Sequence, residues 1–316
     1  MRIGLLAGDP TGIGPEVAAK LLADPGVSTR PEFVLVGDRK VFEAGARVAK
    51  VPAKILDSYR LLELPLETTP PLAKVSREAG AFTLDTLRRA VQAFRDGDID
   101  ALLFAPLNKQ AMKLAGLEQE DEMHFFAHLL GHTGLCSEIN VADALWTTRV
   151  TSHVPLRQVA ELITEDAVYN AIELIAQIMP GSPRIAVAGL NPHAGEGGLL
   201  GHEEVASIAP AVSRARARGI DVSGPYPADT LFIAARRGDF DAVVTMYHDQ
   251  GQIATKLLGF ERGVTLQAGL PMPIATPAHG TAFDIAGKGV ANPGPIKAAL
   301  RVLISAAARQ PAAATR

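Results

Sequence analysis

RIGLLAGDPTGIGPEVAAKLLAD, Arg2 to Asp24, carries the grammar of the whole chain. The apolar run RIGLLAG has the length of a buried strand. The loop GDPTGIGPE, Gly8 to Glu16, is built from turn residues, and PEVAAKLLAD then has the spacing of an amphipathic helix. The same parts recur downstream. EFVLVGD, ALLFAP, RIAVAGL and DAVVTMY read as strands; TLDTLRRAVQAFRDGD, EDAVYNAIELIAQIM, EEVASIAPAVSRARARG and PIKAALRVLISAAAR read as helices. Such alternation predicts an α/β fold with a largely parallel sheet.

A chain of 316 residues, 47% of them hydrophobic, suits two packed lobes better than one core. Its 31 basic and 34 acidic residues are interspersed and leave a net charge of −3, so no basic face invites nucleic acid or an anionic membrane. No apolar run approaches the roughly 20 residues of a membrane-spanning helix. The single cysteine, Cys136, makes no internal disulfide, and the opening MRIGLLAGDP meets Asp and Pro too early for a signal sequence, so the cytoplasm is the expected compartment. The tail RQPAAATR has no core-forming pattern and is expected to fray.

In open α/β sheets ligands gather at the carboxyl ends of strands, which directs attention to GDPTGIGPE, APLNK, NPHAGEGG and YHDQGQ. Three of the eight histidines follow predicted strands directly: His153 in RVTSHVPL, His193 in LNPHAG and His248 in MYHDQG. Imidazoles suit Zn, Co, Ni or Fe, so the trio reads as a metal centre or, equally, as hydrogen-bonded histidines on a sheet rim. HFFAHLLGH spaces His124, His128 and His132 along one helical face. Gly131 invites a cap before the third, and the interleaved Phe and Leu residues make this a core-facing helix rather than a metal site.

GDPTGIGPE either admits an anion to a helix N-terminus, through Gly12 and Gly14, or is only a tight turn. LNPHAGEGGLLGHEE has the same ambiguity. Asp229 in PYPADT, Asp249 in YHDQ, Lys109 and Lys256 are charged residues beside candidate loops. Lys256, in the apolar context IATKLLGF, is expected to be partly buried. No GxSxG elbow supports a serine hydrolase, and nothing around Cys136 marks a reactive thiol. HGTAFDIAGKGVANP, His279 to Pro293, is rich in glycine but lacks the strand and helix of a dinucleotide fingerprint.

GDPTGIGPE, APLNK, TSHVPL, GLNPHAGEGG, GPYPADTLF, YHDQG and HGTAFDIAGKG, in this order along essentially the whole chain, resemble the 4-hydroxythreonine-4-phosphate dehydrogenase family. HGTAFDIAGKGVANP is also similar to the nucleotide-binding loop of isopropylmalate and isocitrate dehydrogenases. The resemblance implies a two-lobed α/β/α fold with the active site in a cleft at a homodimer interface. Residues 1–107 and 254–316 would form the nucleotide-binding lobe, and 108–253 the metal-binding and dimerisation lobe. It implies a divalent ion, Zn first and Co, Mn or Mg as other candidates, held by His153, His193 and His248 with ligands from both subunits. The family's acidic pair falls on Asp229 and Asp249, and its substrate lysine on Lys256. Asp284 would hold the adenosine ribose and Asn292 would contact adenine, with Gly12, Gly14, His279, Gly280 and Thr281 around the cofactor. A carboxylate at Asp284 repels a 2′-phosphate, which favours NAD over NADP.

The substrate end departs from the family. The resemblance puts its GHT triplet in ungapped register on Asp121, Glu122 and Met123, so GHTG at Gly131 to Gly134 is expected to be a decoy on the next helix. The asparagine after RGV is Thr265, and the arginine before the HGT loop is Ile274. Exchanging arginine for isoleucine removes a bidentate partner for phosphate or carboxylate. Lys109, Glu122, Met123, Thr265 and Ile274 are the expected substrate contacts. Terephthalate dihydrodiol dehydrogenases resemble this chain in lacking the triplet and the arginine. The expected activity is thus NAD- and metal-dependent oxidation of a hydroxy acid with decarboxylation. A non-phosphorylated dihydrodiol carboxylate is the alternative substrate, and a non-catalytic metal-binding protein the remote alternative.

Overall fold

The computed structural model describes residues 1–27, 31–259 and 263–309. Most of the tail expected to fray, 310–316, lies outside the described residues. The strands are β1 (Arg2–Leu6), β2 (Glu32–Gly37), β3 (Arg60–Glu63), β4 (Ala101–Phe104), β5 (Ser137–Ala142), β6 (Leu145–Arg149), β7 (Ile185–Ala188), β8 (Val222–Tyr226), β9 (Ala242–Thr245), β10 (Val264–Ala268) and β11 (Ile274–Pro277). They form one sheet in the order β3-β2-β1-β4-β11-β10-β5-β6-β9-β7-β8. Among the described residues the helices are α1 (Gly14–Leu22), α2 (Arg39–Val48), α3 (Arg77–Arg95), α4 (Lys109–Leu114), α5 (Glu122–Leu130), α6 (Leu156–Leu162), α7 (Glu165–Ile178), α8 (Ala209–Ala217), α9 (Ala228–Arg236), α10 (His248–Gly259) and α11 (Gly294–Ala307).

The sheet is parallel from β3 to β11 and again from β6 to β8, and antiparallel across β11-β10-β5-β6. The two parallel blocks therefore run in opposite directions. Loops at the carboxyl ends of β1, β4 and β11 leave one edge of the sheet, and those after β6, β9 and β7 leave the other. β5 to β9 all come from 108–253 and the remaining strands from 1–107 and 254–316. The expected crossing at 253/254 falls inside α10, which packs on β5, β6 and β9.

One face of the sheet carries a continuous apolar core. Ile3, Leu5, Leu35, Ile139, Val187, Val244 and Leu266 meet Val17 of α1, Ile172 of α7, Val212 of α8 and Leu300 of α11 there. The other face has two cores with a gap between them. Leu102, Phe104 and Ile274 pack against Leu84 and Leu87 of α3 and Phe125 and Phe126 of α5, while Ala186 and Val243 pack against Leu231 and Ala235 of α9. The register shows what fills the gap. Thr276, Thr265, Asn140, Thr147, Val243 and Ala186 form one lateral row across six strands, and lateral neighbours share a face. The row is polar from β11 to β6 and apolar beyond it. A polar stripe in mid-sheet cannot be covered by an apolar helix face without orphaning its hydrogen-bonding groups, so the helices part over it. That parting is the cleft.

The rejected histidine helix behaves as its sequence requires. α5 ends at Gly131, whose φ of 66° is left-handed, so His132 lies beyond the helix. No described helix is long and apolar enough to cross a membrane.

Candidate active site

The loops after β6 and β9 are tied together by backbone. Val150 N donates to Thr245 O at 2.8 Å, and Met246 O accepts from Thr151 N at 3.0 Å and from its Oγ1 at 2.8 Å. This brings His153 and His248 together, with ring centroids 5.6 Å apart and planes tilted by 45°. Gln250 extends the tie to β7: its Oε1 accepts from Met246 N at 2.7 Å, and its Nε2 donates to Gly189 O at 2.8 Å. Each of the two imidazoles has its Nδ1 engaged by a carboxylate, Glu120 Oε1 at 2.5 Å for His153 and Asp249 Oδ1 at 2.7 Å for His248. Their Nε2 atoms remain for a ligand.

His193 stands on a strained loop. His193, Ala194 and Glu196 have φ of 54°, 53° and 44°, within an unbroken run of positive φ that continues to Gly198. Each non-glycine residue in that conformation costs about 1–2 kcal/mol. Buried Glu204 holds the loop, with Oε1 accepting from Leu190 N and Asn191 N, both at 2.7 Å. The His193 side chain is 74% exposed, with its charged neighbour Glu196 at 3.9 Å. Within one chain the three histidines do not converge. The described group whose possible ligand atoms all lie within 4.8 Å of one another is Glu120, Asp121 and His153.

From His248 a groove runs along α10, over the polar stripe, to Gly259. A cavity of about 180 Å³ in it is lined by Glu138, Asn140, His248, Gln252, Lys256, Thr265 and Ala278, among others. Thr265 donates to Asn140 Oδ1 at 3.3 Å, and Thr255 of α10 packs its hydroxyl 3.3 Å from that of Thr147. Buried Arg149 pairs with Glu138 and donates to Ser152 Oγ at 2.9 Å. Lys109 faces carboxylates, its Nζ 3.4 Å from Glu122 Oε2 in an ion pair without an aligned hydrogen bond. Burial lowers the Lys109 pKa, but Glu122, Glu138 and Asp121 outweigh it and hold the ammonium above its ordinary value. Burial pushes the Glu122 carboxyl up, against the pull of Lys109. Asp121, buried where it caps α5, is nevertheless held below the ordinary carboxylate range by hydrogen bonds from His124 N at 2.9 Å and Nδ1 at 2.7 Å. Burial pushes the Cys136 thiol up, which suits the absence of a reactive signature around it.

At the opposite edge the loops after β1 and β11 interlock. Ile13 N donates to Thr281 O at 3.0 Å, and Asp9 N donates to Pro106 O of the loop after β4 at the same distance. Asp284 and Asn292 are exposed. Asn292 Oδ1 accepts from Gly294 N at 2.8 Å at the start of α11, which leaves its amide N–H groups to donate. His279 and Thr281 are half-buried and Gly280 is exposed.

Several expectations need correction. Lys256 is exposed, because its apolar neighbours Ile253 and Leu257 also face outward, at 61% and 83% exposure, and α10 buries Gly251 and Thr255 instead. Met123 and Ile274 belong to the core between α3, α5 and the sheet, at 7% and 0% exposure, so neither offers a surface to a substrate. Gly12 and Gly14 are buried and serve the protein's own packing. A Cβ on Gly12 would stand 2.8 Å from Thr281 Cβ, and one on Gly14 2.1 Å from Ala7 O. No correction attaches to Asp229, which is exposed in the first turn of α9.

Glu120, Glu138, Asn140, Arg149 and Gln267 went unread in the sequence, although Glu138 and Asn140 alternate with Ile139 and Val141 at strand period. Gln267, 1% exposed, has neither amide atom hydrogen-bonded.

The donor set fits a transition-metal ion. With nitrogen–metal bonds of roughly 2.0–2.1 Å, two imidazoles sharing one ion near the tetrahedral angle place their centroids roughly 5 Å apart, close to the spacing here. An exposed carboxylate at Asp284 has the chemistry to accept from ribose hydroxyls, and the amide donors of Asn292 have that to meet a purine edge.

Residues 29–303 match the family described as pyridoxal phosphate biosynthetic protein PdxA. A Pseudomonas aeruginosa protein provisionally named as a second 4-hydroxythreonine-4-phosphate dehydrogenase is 48% identical, over 95% of both chains. D-threonate 4-phosphate dehydrogenase of Cupriavidus necator is 42% identical, again over 95% of both. The crystal structure of 4-hydroxythreonine-4-phosphate dehydrogenase from Klebsiella pneumoniae superposes with a TM-score of 0.79 at 34% identity, covering 97% of this chain and 99% of that one.

Proposed function

The chain belongs to the family of pyridoxal phosphate biosynthetic protein PdxA, and from that premise we propose an NAD- and divalent-metal-dependent dehydrogenase. It oxidises the hydroxyl of a phosphorylated hydroxy acid, with loss of CO2 where the carboxylate lies β to the new ketone. The observation that carries this reading is the His153–His248 pair, each ring held at Nδ1 by a carboxylate, with His248 on a groove whose lining also includes Ala278, the first residue after β11. His153 and His248, with His193 from the same or the partner subunit, would hold the ion. The exposed apolar side chains of Leu199, Ile233, Ile253 and Leu257, on the elements that carry or adjoin these histidines, support a homodimer. The enzyme acts in the cytoplasm.

When bound, the ion acidifies the substrate hydroxyl and NAD accepts the hydride. The chain supplies the rest. The hydroxyl proton would pass to Lys256 Nζ on the groove wall, in its uncharged form, or to a water linked to an aspartate. Thr265 and Asn140 orient the polar carbons of the substrate, and Lys109 meets its anionic end. Asp229 and Asp249 flank the histidines, Asp249 fixing the His248 ring. Asp284 accepts hydrogen bonds from the ribose hydroxyls, and Asn292 donates to adenine.

A second reading, a non-phosphorylated substrate such as a dihydrodiol carboxylate, is favoured by one observation: the carboxylates Glu122, Glu138 and Asp121 around Lys109 repel a phosphate dianion more strongly than the single charge of a carboxylate. Phosphorylated hydroxythreonine, threonate 4-phosphate and a terephthalate dihydrodiol, each supplied with NAD and Zn, Co or Mg, separate the readings by NADH absorbance. Turnover of the phosphorylated compounds alone is expected; turnover of the diol alone replaces the first reading with the second. Asp284→Ala is expected to raise the Michaelis constant for NAD, and unchanged NAD affinity in that variant removes the cofactor assignment. No turnover together with no NAD binding by calorimetry leaves a non-catalytic metal-binding protein.

A further inference from the structure

We infer that Glu120 is a positioning residue for the metal site, orienting His153 by holding its Nδ1 so that Nε2 faces the ion. The inference rests on the metal site proposed above. The two residues are 33 positions apart and come from different elements, Glu120 from the segment before α5 and His153 from the loop after β6, yet their side chains meet at 2.5 Å. An exposed ion pair is ordinarily worth little, because two mobile side chains must be ordered to form it. Here the ordering is done in advance. Asp121, 2% exposed, caps α5 through Oδ1, Lys113 donates to Gln119 O, and the residue between them has little backbone freedom.

The pairing also fixes a tautomer. A carboxylate on Nδ1 requires the proton there and leaves the Nε2 lone pair outward, the arrangement that raises the basicity of a metal-binding imidazole. His248 is treated in the same way by Asp249 at 2.7 Å. Asp121 Oδ2, 3.8 Å from His153 Nδ1, adds negative charge on the same side of the ring. Glu120 thus does for His153, from outside its own loop, what Asp249 does for His248 from the adjacent position. Because Glu120 immediately precedes Asp121 and Glu122, whose charges act on Lys109, a shift in that segment is felt at the metal.

The test is titration of the metal-free dimeric protein with cobalt(II) chloride, followed by calorimetry and by the visible spectrum of the bound ion, with unfolding midpoints checked for each variant. Glu120→Ala is expected to weaken binding about 10- to 100-fold without changing the spectrum of the saturated protein. Glu120→Gln, whose amide oxygen still accepts from Nδ1–H, retains most of the affinity. Wild-type affinity in Glu120→Ala overturns the inference. So does a changed spectrum with Glu120→Gln as weak as Glu120→Ala, which would make Glu120 a ligand instead. His153→Ala serves as the reference: unchanged affinity in that variant overturns the metal site itself, and the role of Glu120 with it.

Discussion

Lys20 Nζ lies 2.7 Å from the carbonyl oxygen of Ala291, joining α1 to the loop that ends at Asn292 across 271 residues of sequence. The same ammonium donates to Gly289 O at 3.0 Å and to Glu16 Oε1 at 2.7 Å, and Glu16 Oε1 in turn accepts from Ala291 N at 2.8 Å. Glu16, the acid of GIGPE, is 2% exposed. The motif therefore clamps the proposed adenosine loop from beneath.

Removing the clamp loosens that loop and strands the Glu16 carboxylate. Lys20→Met is expected to lower the unfolding free energy by about 1–3 kcal/mol and to raise the Michaelis constant for NAD with little change in kcat, the pattern of lost uniform binding. Lys20→Arg restores part of both. Equal losses in kcat and kcat/KM would place the effect in the chemical step and speak against this role.

Gly14 separates a packing role from a ligand role. A methyl group there meets Ala7 O at 2.1 Å, a main-chain atom that cannot move aside cheaply. Gly14→Ala is expected to destabilise the fold by about 1–3 kcal/mol, as overpacking does, read as a lower urea midpoint. A wild-type midpoint with weakened NAD binding would restore Gly14 to the cofactor site.

Asp9 is wholly buried. Its Oδ1 accepts from Thr11 N at 2.7 Å and Oγ1 at 2.6 Å, while Oδ2 has no hydrogen-bond partner. Burial raises its pKa above the ordinary 3.8, against the pull of those two hydrogen bonds. A raised folded-state pKa means that the residue's stabilising contribution is complete below the unfolded value and is lost as pH climbs through the folded value. Asp121 and Asp241 act in the opposite sense, losing their contribution as pH falls, but they are common to wild type and variant. Asp9→Asn, with an amide oxygen to keep the Thr11 contacts, should therefore gain on wild type between pH 4 and pH 7 in urea unfolding. Parallel stability curves would mean that Asp9 does not titrate differently in the folded chain.

The sequence revealed those parts of the fold whose strands are apolar on both faces. β1, β2, β4, β7 and β9 appear as unbroken hydrophobic runs because helices cover them above and below. β5, β6 and β10 do not, since Glu138, Asn140, Thr147, Arg149, Thr265 and Gln267 interrupt them wherever they turn toward the cleft. The residues that build the site thus erase the signal of the strands that carry them, and the antiparallel centre of the sheet went unseen. His153 and His248 were legible as strand-end histidines. Glu120 was not, because its partner is distant in sequence and only the cap at Asp121 brings the two together. Lys256 is deceptive through composition: apolar neighbours in sequence are not apolar neighbours in space, and on α10 they face outward together with the lysine.

The reversal of strand direction at the middle of the sheet separates two kinds of change. Residues that select a substrate around the histidine loops hang from one edge, the interlocked loops around Thr281 from the other, and α10, 12 residues long and so about 18 Å, is the spacer between them. Apart from Lys109, which directly follows the β4 loop tied to Asp9 at the other edge, residues around the histidine loops have no shared loop through which to disturb that edge. A chain built this way can change what it oxidises while leaving its electron acceptor alone.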